Sequence, residues 1–198
     1  MKAKRIFNII TIFIISGFLI AISSAASVAE MFKVDPVHSA ITFRIKHLGI
    51  SYVHGRFNNA AGTIIFDEKT PANSSTKISV NVADIDTFKA ERDKHLKSKD
   101  FFDAEKYPVI SFQGESFKKV GENVYQVSGP LTFHGVTRPT TVEVRHIGSG
   151  FDPWGGFRAG FETSFTIKRS DFGMTHMLGS VGDEVHLTIS IEGIRKKT

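Results

Sequence analysis

The stretch FRAGFETSFTIK, Phe157–Lys168, decides the fold. Phe157, Ala159, Phe161, Thr163, Phe165 and Ile167 share one parity, and Arg158, Gly160, Glu162, Ser164, Thr166 and Lys168 share the other. A period of two places the first set on one face of a strand and the second on the opposite face. The apolar face is rich in phenylalanine and carries no charge, so the reading is a long, half-buried β-strand.

The same alternation recurs on both sides. Ile41, Phe43 and Ile45 interleave with Thr42, Arg44 and Lys46, and Ile78, Val80 and Val82 with Ser79 and Asn81. Val142 and Val144 interleave with Glu143 and Arg145. Near the end, Val185, Leu187, Ile189 and Ile191 face away from His186, Thr188, Ser190 and Glu192. Shorter strands fit residues 52–57, 63–66, 109–117 and 124–133. Turn residues separate them: Asn58-Asn59, residues 71–73 and 121–123, His134-Gly135 and residues 148–156. Closely spaced strands with short turns predict a mainly β fold, an antiparallel sheet closed into a barrel or folded into a sandwich.

One segment interrupts the strands. From Phe88 to Ser98 the chain has neither Gly nor Pro and is rich in helix formers. Asp86 or Thr87 is the expected cap, Asp100 starts a further turn through Phe101 and Phe102, and Pro108 ends the segment. Its thin apolar stripe predicts a lid across one barrel opening, formed by Phe88, Leu96, Phe101 and Phe102.

The first 29 residues read differently. Lys2, Lys4 and Arg5 precede an apolar run over residues 6–22, and Ser27-Val28-Ala29 offers a small-residue cleavage site before Glu30. That is the pattern of a secretory signal peptide, and it implies a periplasmic protein. The run touches the lower length limit of a membrane span, but Asn8, Thr11, Ser16 and Gly17 weaken an uncleaved anchor. No cysteine is present, so neither disulfides nor a lipidated cysteine is available. Residues 30–198 read as one domain.

The 25 basic residues, less Lys2, Lys4 and Arg5, leave 22 against 20 acidic ones, a balance of +2. So small a charge argues against a nucleic-acid partner. The tail Arg195-Lys196-Lys197 offers weak attraction to anionic lipid headgroups and a transient membrane contact.

Alternation does not say which face is inside. An outward apolar face would make an outer-membrane barrel, with aromatic girdles at the strand ends. Here Phe43, Phe112, Phe161 and Phe165 sit in mid-strand, which favours the inward reading. A barrel of about eight strands is then either packed with side chains or holds a ligand, and the 18 Phe leave both readings open.

Several short motifs carry a resemblance. They are Asp35-Pro-Val-His38-Ser39, Phe43, His47-Leu48, Gly55-Arg-Phe57, Arg92-Asp93-Lys-His95-Leu96, Asp100-Phe101-Phe102-Asp103 and Tyr107-Pro108. Gly129-Pro-Leu131-Thr132, Gly135-Val-Thr-Arg138, Arg169-Ser-Asp171-Phe172-Gly173 and Gly182-Asp183-Glu-Val185 follow. In this order and spacing the chain resembles the YceI-like family of periplasmic polyisoprenoid-binding proteins. The resemblance implies a lipocalin-like, extended antiparallel β-barrel with a helical segment near one opening. It also implies an elongated apolar cavity for a polyisoprenoid, an isoprenoid quinone tail or a similar long-chain lipid, and a carrier role in transport.

The lining candidates are Phe43, Ile45, Phe57, Ile64, Phe66, Val80, Val82, Ile110, Phe112, Leu131, Phe161, Phe165, Leu187 and Ile189, with Leu96, Phe101 and Phe102 in the lid. Polar candidates at the mouth are His38, His47, Arg92, His95, Arg169 and Asp171. The Arg92-Asp93 and Arg169/Asp171 pairs read as ion pairs that pin the helix and a late turn to the rim.

Catalytic signals are thin. There is no Gly-x-Ser-x-Gly elbow, and Ser116-Phe-Lys-Lys119 falls in a strand end where one helical turn cannot align Ser and Lys. The eight His form neither His-x-His nor His-Glu-x-x-His. Their nearest groupings, His38/His47/His54 and His134/His146, are spread over separate strands, so no metal or catalytic cofactor is expected. The expectation is a binding protein and not an enzyme; the alternatives are an outer-membrane barrel and a lipid-modifying enzyme on the same scaffold. A homodimer would use an edge strand at an imperfect barrel closure.

Overall fold

The computed structural model describes residues 28–196, and all but the last two residues of the expected 1–29 leader lie outside the described residues. The strands are β1 (Glu30–Val34), β2 (Ala40–His47), β3 (Ser51–Phe57), β4 (Ala61–Phe66), β5 (Ser75–Asn81) and β6 (Ile85–Asp86). After the helix α1 (Ala90–Lys97) come β7 (Val109–Gly114), β8 (Ser116–Gly121), β9 (Val124–Phe133), β10 (Val136–Phe151), β11 (Phe157–Lys168) and β12 (Val181–Arg195). Among the described residues all pairings between strands are antiparallel and belong to a single sheet.

Several strands are halves of longer ones. β1 and β2 lie end to end along one edge of β12, β1 pairing residues 193–195 and β2 pairing residues 181–190. β3 and β4 continue each other in the same way, β3 against β2 and β4 against β1. β7 and β8 share β9. With the halves joined, the wall is a closed barrel of eight antiparallel strands in up-and-down order. Closure satisfies backbone groups that a sheet edge would leave open. β12 is covered by β1 and β2, so this seam offers no free edge for strand pairing with a second copy.

The wall is breached in one place. β5 follows β7 only up to Asn81 and Val109, after which the chain turns through a 3-10 turn, Val82–Asp84, into the two-residue β6. Among the described residues no ladder joins β6 to β7. Residues 90–107 fill this breach. The Phe102 ring lies 5.8 Å from Phe57 on β3 and 5.6 Å from Phe133 on β9, bridging the two sides.

The helix differs from its sequence expectation. It starts at Ala90, and neither Asp86 nor Thr87 caps it. Asp86 instead accepts the Phe88 N–H at 2.9 Å, which holds Phe88 in the left-handed region at φ 64° and turns its ring outward, 73% exposed. Phe88 is therefore not part of the lid. Residues 98–107 form successive turns and no second helix.

Two further differences concern strands. Val82 has the right parity for the inside, but its N–H bonds Pro108 O and the chain has already left the extended path. β1 falls outside the sequence reading, because Phe32 and Val34 give too short an alternation. Elsewhere the alternation holds: Ile41, Val142, Phe161 and Ile191 are buried, and their neighbours Thr42, Glu143 and Glu162 are exposed.

Candidate functional site

Inside the barrel lies a cavity of about 550 Å³. Its walls are the inward sets of nearly every strand: Ile41, Phe43 and Ile45 from β2, Ile78 and Val80 from β5, Ile110 and Phe112 from β7, Phe161, Phe165 and Ile167 from β11, and Leu187, Ile189 and Ile191 from β12. The period of two dictates this, since each inward residue is followed by one facing solvent. The volume falls within the roughly 300–1,000 Å³ typical of small-molecule sites.

One end is sealed by rings. Phe66 stands edge-on to Tyr125 at 5.3 Å and to Phe161 at 5.1 Å, and the His146 ring lies 4.9 Å from Phe66 and 5.2 Å from Phe161. His146 is buried, and burial pushes its pKa down. Among the described residues the buried Tyr125 hydroxyl has no hydrogen-bond partner, and its pKa is raised, chiefly by burial. Phe66 belongs to this plug and does not line the cavity, although its parity is inward. His146 Nε2 and Ser149 Oγ are 2.8 Å apart, but neither reaches the cavity, so this pair has no access to a molecule held there.

Polar residues gather at the opposite end. Lys46 and His47 end β2, Arg92 and His95 come from α1, and Arg169 follows β11. Leu96, Phe101 and Phe102 complete this end from the lid segment. The lid is fastened through Thr87, a buried residue. Asp93 Oδ1 accepts the Thr87 N–H at 2.9 Å and its hydroxyl at 2.5 Å. Arg92 Nε donates to Thr87 Oγ1 at 2.7 Å, and its Nη2 donates to Thr87 O. Arg92 and Asp93 are thus joined through Thr87, where the sequence suggests a direct ion pair.

Arg169 departs further from its expected pairing. It is 1% exposed and donates to four backbone carbonyls: Gly182 O at 2.8 Å, Met174 O at 3.1 Å, His176 O at 2.8 Å and Val181 O at 3.0 Å. The carboxylate beside it is that of Asp183, which also accepts the Ser170 N–H and hydroxyl. Burial lowers the Arg169 pKa, and Asp183 opposes that. Asp171 faces solvent, and its carbonyl accepts from Arg138 Nε at 3.0 Å. It takes no part in the mouth.

His38 also lies elsewhere. It sits in the break between β1 and β2 and contacts Asp35 Oδ2 at 2.8 Å. Arg158 joins this cluster, bridging Asp35 and Asp152 at 2.8 Å each and Glu192. Asp35 is lowered to about 2, first by the His38 hydrogen bond and next, against burial, by Arg158. The network ties the β1–β2 break to β11 and β12.

All apolar candidates except Phe66 and Val82 line the cavity, as do His47, Arg92, His95 and Arg169 among the polar ones. Ile78, Val127, Val144 and Ile167 line it too, with the parity that marks the named candidates. Met174 and Met177 carried no such signal, because they sit on an aperiodic loop. The groupings His38/His47/His54 and His134/His146 do not converge; among the described residues the His-containing groups that do are His95/Asp100/His176 and Asp35/His38/Glu192.

A closed antiparallel barrel around an apolar chamber, polar at one mouth and plugged by rings at the other, defines a lipocalin-like protein. The chain belongs to the YceI-like domain family, whose model matches residues 32–193. It is 45% identical over 177 residues to Protein YceI of Escherichia coli, covering 88% of this chain and 92% of the relative. Among solved structures, BcnA of Burkholderia cenocepacia aligns with a TM-score of 0.73 at 27% identity, over 80% of this chain and 98% of that one. A polyisoprenoid binding domain from Saccharophagus degradans aligns with a TM-score of 0.65 at 16% identity, over 85% and 99%, which shows a shared fold.

Proposed function

We propose that this protein binds a long-chain apolar lipid, a polyisoprenoid or an isoprenoid quinone tail, inside the barrel and shields it from water without transforming it. The observation that carries this reading is the cavity wall. It is built chiefly from Phe, Ile, Leu, Val and Met, with its Lys, Arg and His side chains at the mouth and a few hydroxyl residues, Thr76, Ser79, Ser111 and Thr163, along the strands. Such a chamber offers few partners for buried polar groups along its length, so it is poorly suited to a polar substrate. It suits a hydrocarbon chain, whose affinity comes from area removed from water. At about 25 cal/mol per Å², burying roughly 400 Å² supplies on the order of 10 kcal/mol before association costs. The polyisoprenoid-binding domain of the same fold supports the ligand class.

An outer-membrane barrel is disfavoured by the outward faces. Arg44, Glu143, Arg145 and Glu162 are exposed there, where a hydrocarbon-facing wall needs apolar side chains. The leader pattern of the first 29 residues supports export to the periplasm, where such a carrier shields lipid between two membranes.

The test is native mass spectrometry of protein purified without detergent, followed by organic extraction. The expected result is a soluble protein carrying one long-chain lipid. Leu187→Arg places a charge on the cavity wall, away from the packed plug that makes Phe161 a poor choice. A folded Leu187→Arg protein that still loads lipid overturns the proposal, as does a wild-type protein that stays empty after incubation with polyprenyl and quinone lipids.

A further inference from the structure

We propose that His95, Asp100 and His176 form a binding site for a divalent transition-metal ion that clasps the lid segment to the barrel rim. The three side chains offer two imidazole nitrogens and one carboxylate oxygen, all within 4.8 Å of one another. His95 Nε2 and Asp100 Oδ2 are already 2.8 Å apart. Ligand atoms at about 2.0–2.1 Å on a tetrahedral ion are separated by roughly 3.3 Å, so small side-chain rotations bring all three donors onto one ion. Two nitrogens and one oxygen suit Zn²⁺, Ni²⁺ or Cu²⁺ better than Mg²⁺ or Ca²⁺, which prefer all-oxygen shells.

The site has a rigid backing. Phe101 is buried, and both imidazoles stand edge-on to its ring, His95 at 5.1 Å and His176 at 5.0 Å between centroids. The two imidazoles are 6.0 Å apart. One buried ring therefore fixes the orientation of both nitrogen ligands, while His95 and Asp100 stay about half exposed and open to an entering ion.

The ligands come from two separate pieces of chain. His95 and Asp100 belong to the lid segment, and His176 belongs to the loop between β11 and β12 that Arg169 braces through the His176 and Met174 carbonyls. An ion here joins the lid to the rim across the mouth. The second group, Asp35, His38 and Glu192, is a poorer site, because the Arg158 guanidinium already occupies both carboxylates. Three protein ligands leave a fourth position for water or another oxygen donor.

The test uses protein without an affinity tag and Zn²⁺ as the probe, with Co²⁺ as its spectroscopic substitute. Titration calorimetry is expected to show one site, weakened at least tenfold by His95→Ala, Asp100→Asn or His176→Ala and unchanged by His38→Ala. Circular dichroism confirms that each variant is folded. Hydrogen exchange over Ala90–Lys97 is expected to slow with Zn²⁺ in the wild type and not in His176→Ala. The site is overturned if the double variant His95→Ala/His176→Ala binds as the wild type does, if the wild type shows no saturable binding, or if His38→Ala abolishes it. Binding that leaves exchange unchanged overturns the clasp.

Discussion

The Phe43 ring lies over Gly55, its antiparallel partner across β2 and β3, in the space a side chain at 55 would take. A Cβ there would overlap the ring and come within 2.8 Å of Thr87 Cγ2. Phe43 lines the cavity and packs on Phe57 at 5.7 Å, while Thr87 anchors the lid. The missing side chain at Gly55 thus lets cavity wall and lid anchor meet.

Gly55→Ala should cost about 1–3 kcal/mol, the usual cost of overpacking a core. It should also speed hydrogen exchange in α1 by disturbing Thr87. A melting temperature and exchange pattern equal to wild type would show that Phe43 has room to move aside.

Arg169→Met leaves four buried or part-buried carbonyls without their donor, so a loss of about 3–5 kcal/mol is expected. Arg169→Lys should rescue little, because an ammonium cannot reproduce the planar fork. Urea denaturation of both variants checks this. A fully rescued Lys variant would mean that charge, and not geometry, holds the loop.

Tyr125→Phe should stabilise the fold. The hydroxyl is buried and unpartnered among the described residues, and such a group carries a desolvation cost of about 1–3 kcal/mol. At this chain length that amounts to a rise of roughly 2–4 °C in melting temperature per kcal/mol. A lower melting temperature would point to a water bridging the hydroxyl.

Stability should fall with acid in two stages. The lowered His146 pKa means that the unfolded chain takes up a proton first, so stability present above about pH 6.5 is lost as pH falls toward the folded value. Asp35, at about 2 in the fold, contributes stability that is complete above about pH 4 and lost as pH falls through 2. His146→Phe should flatten the first stage and Asp35→Asn the second, read from urea midpoints between about pH 8 and 2. A wild-type midpoint that is flat from pH 7 to 5 would contradict the His146 assignment.

The alternation by itself determined an antiparallel β fold and which residues share its apolar face, and the family resemblance added the barrel and its cavity. A strand turns alternate residues to opposite faces, so the phenylalanines of residues 157–168 had to share a side, and the same parity marked Phe43, Phe112, Leu187 and Ile189. Tertiary structure decided what local pattern does not encode. Phe66 and Phe161 share inward parity and touch at 5.1 Å, yet only Phe161 reaches the cavity, while Phe66 stays inside the plug. Arg169 has carboxylates nearby in sequence, but burial turned it toward four carbonyls contributed by residues 174–182. His95 and His176 lie far apart in the chain and meet at Phe101 only because the lid closes the breach between β6 and β7. Periodicity reports which face a residue occupies; only the folded chain sets its height and its partner across the barrel.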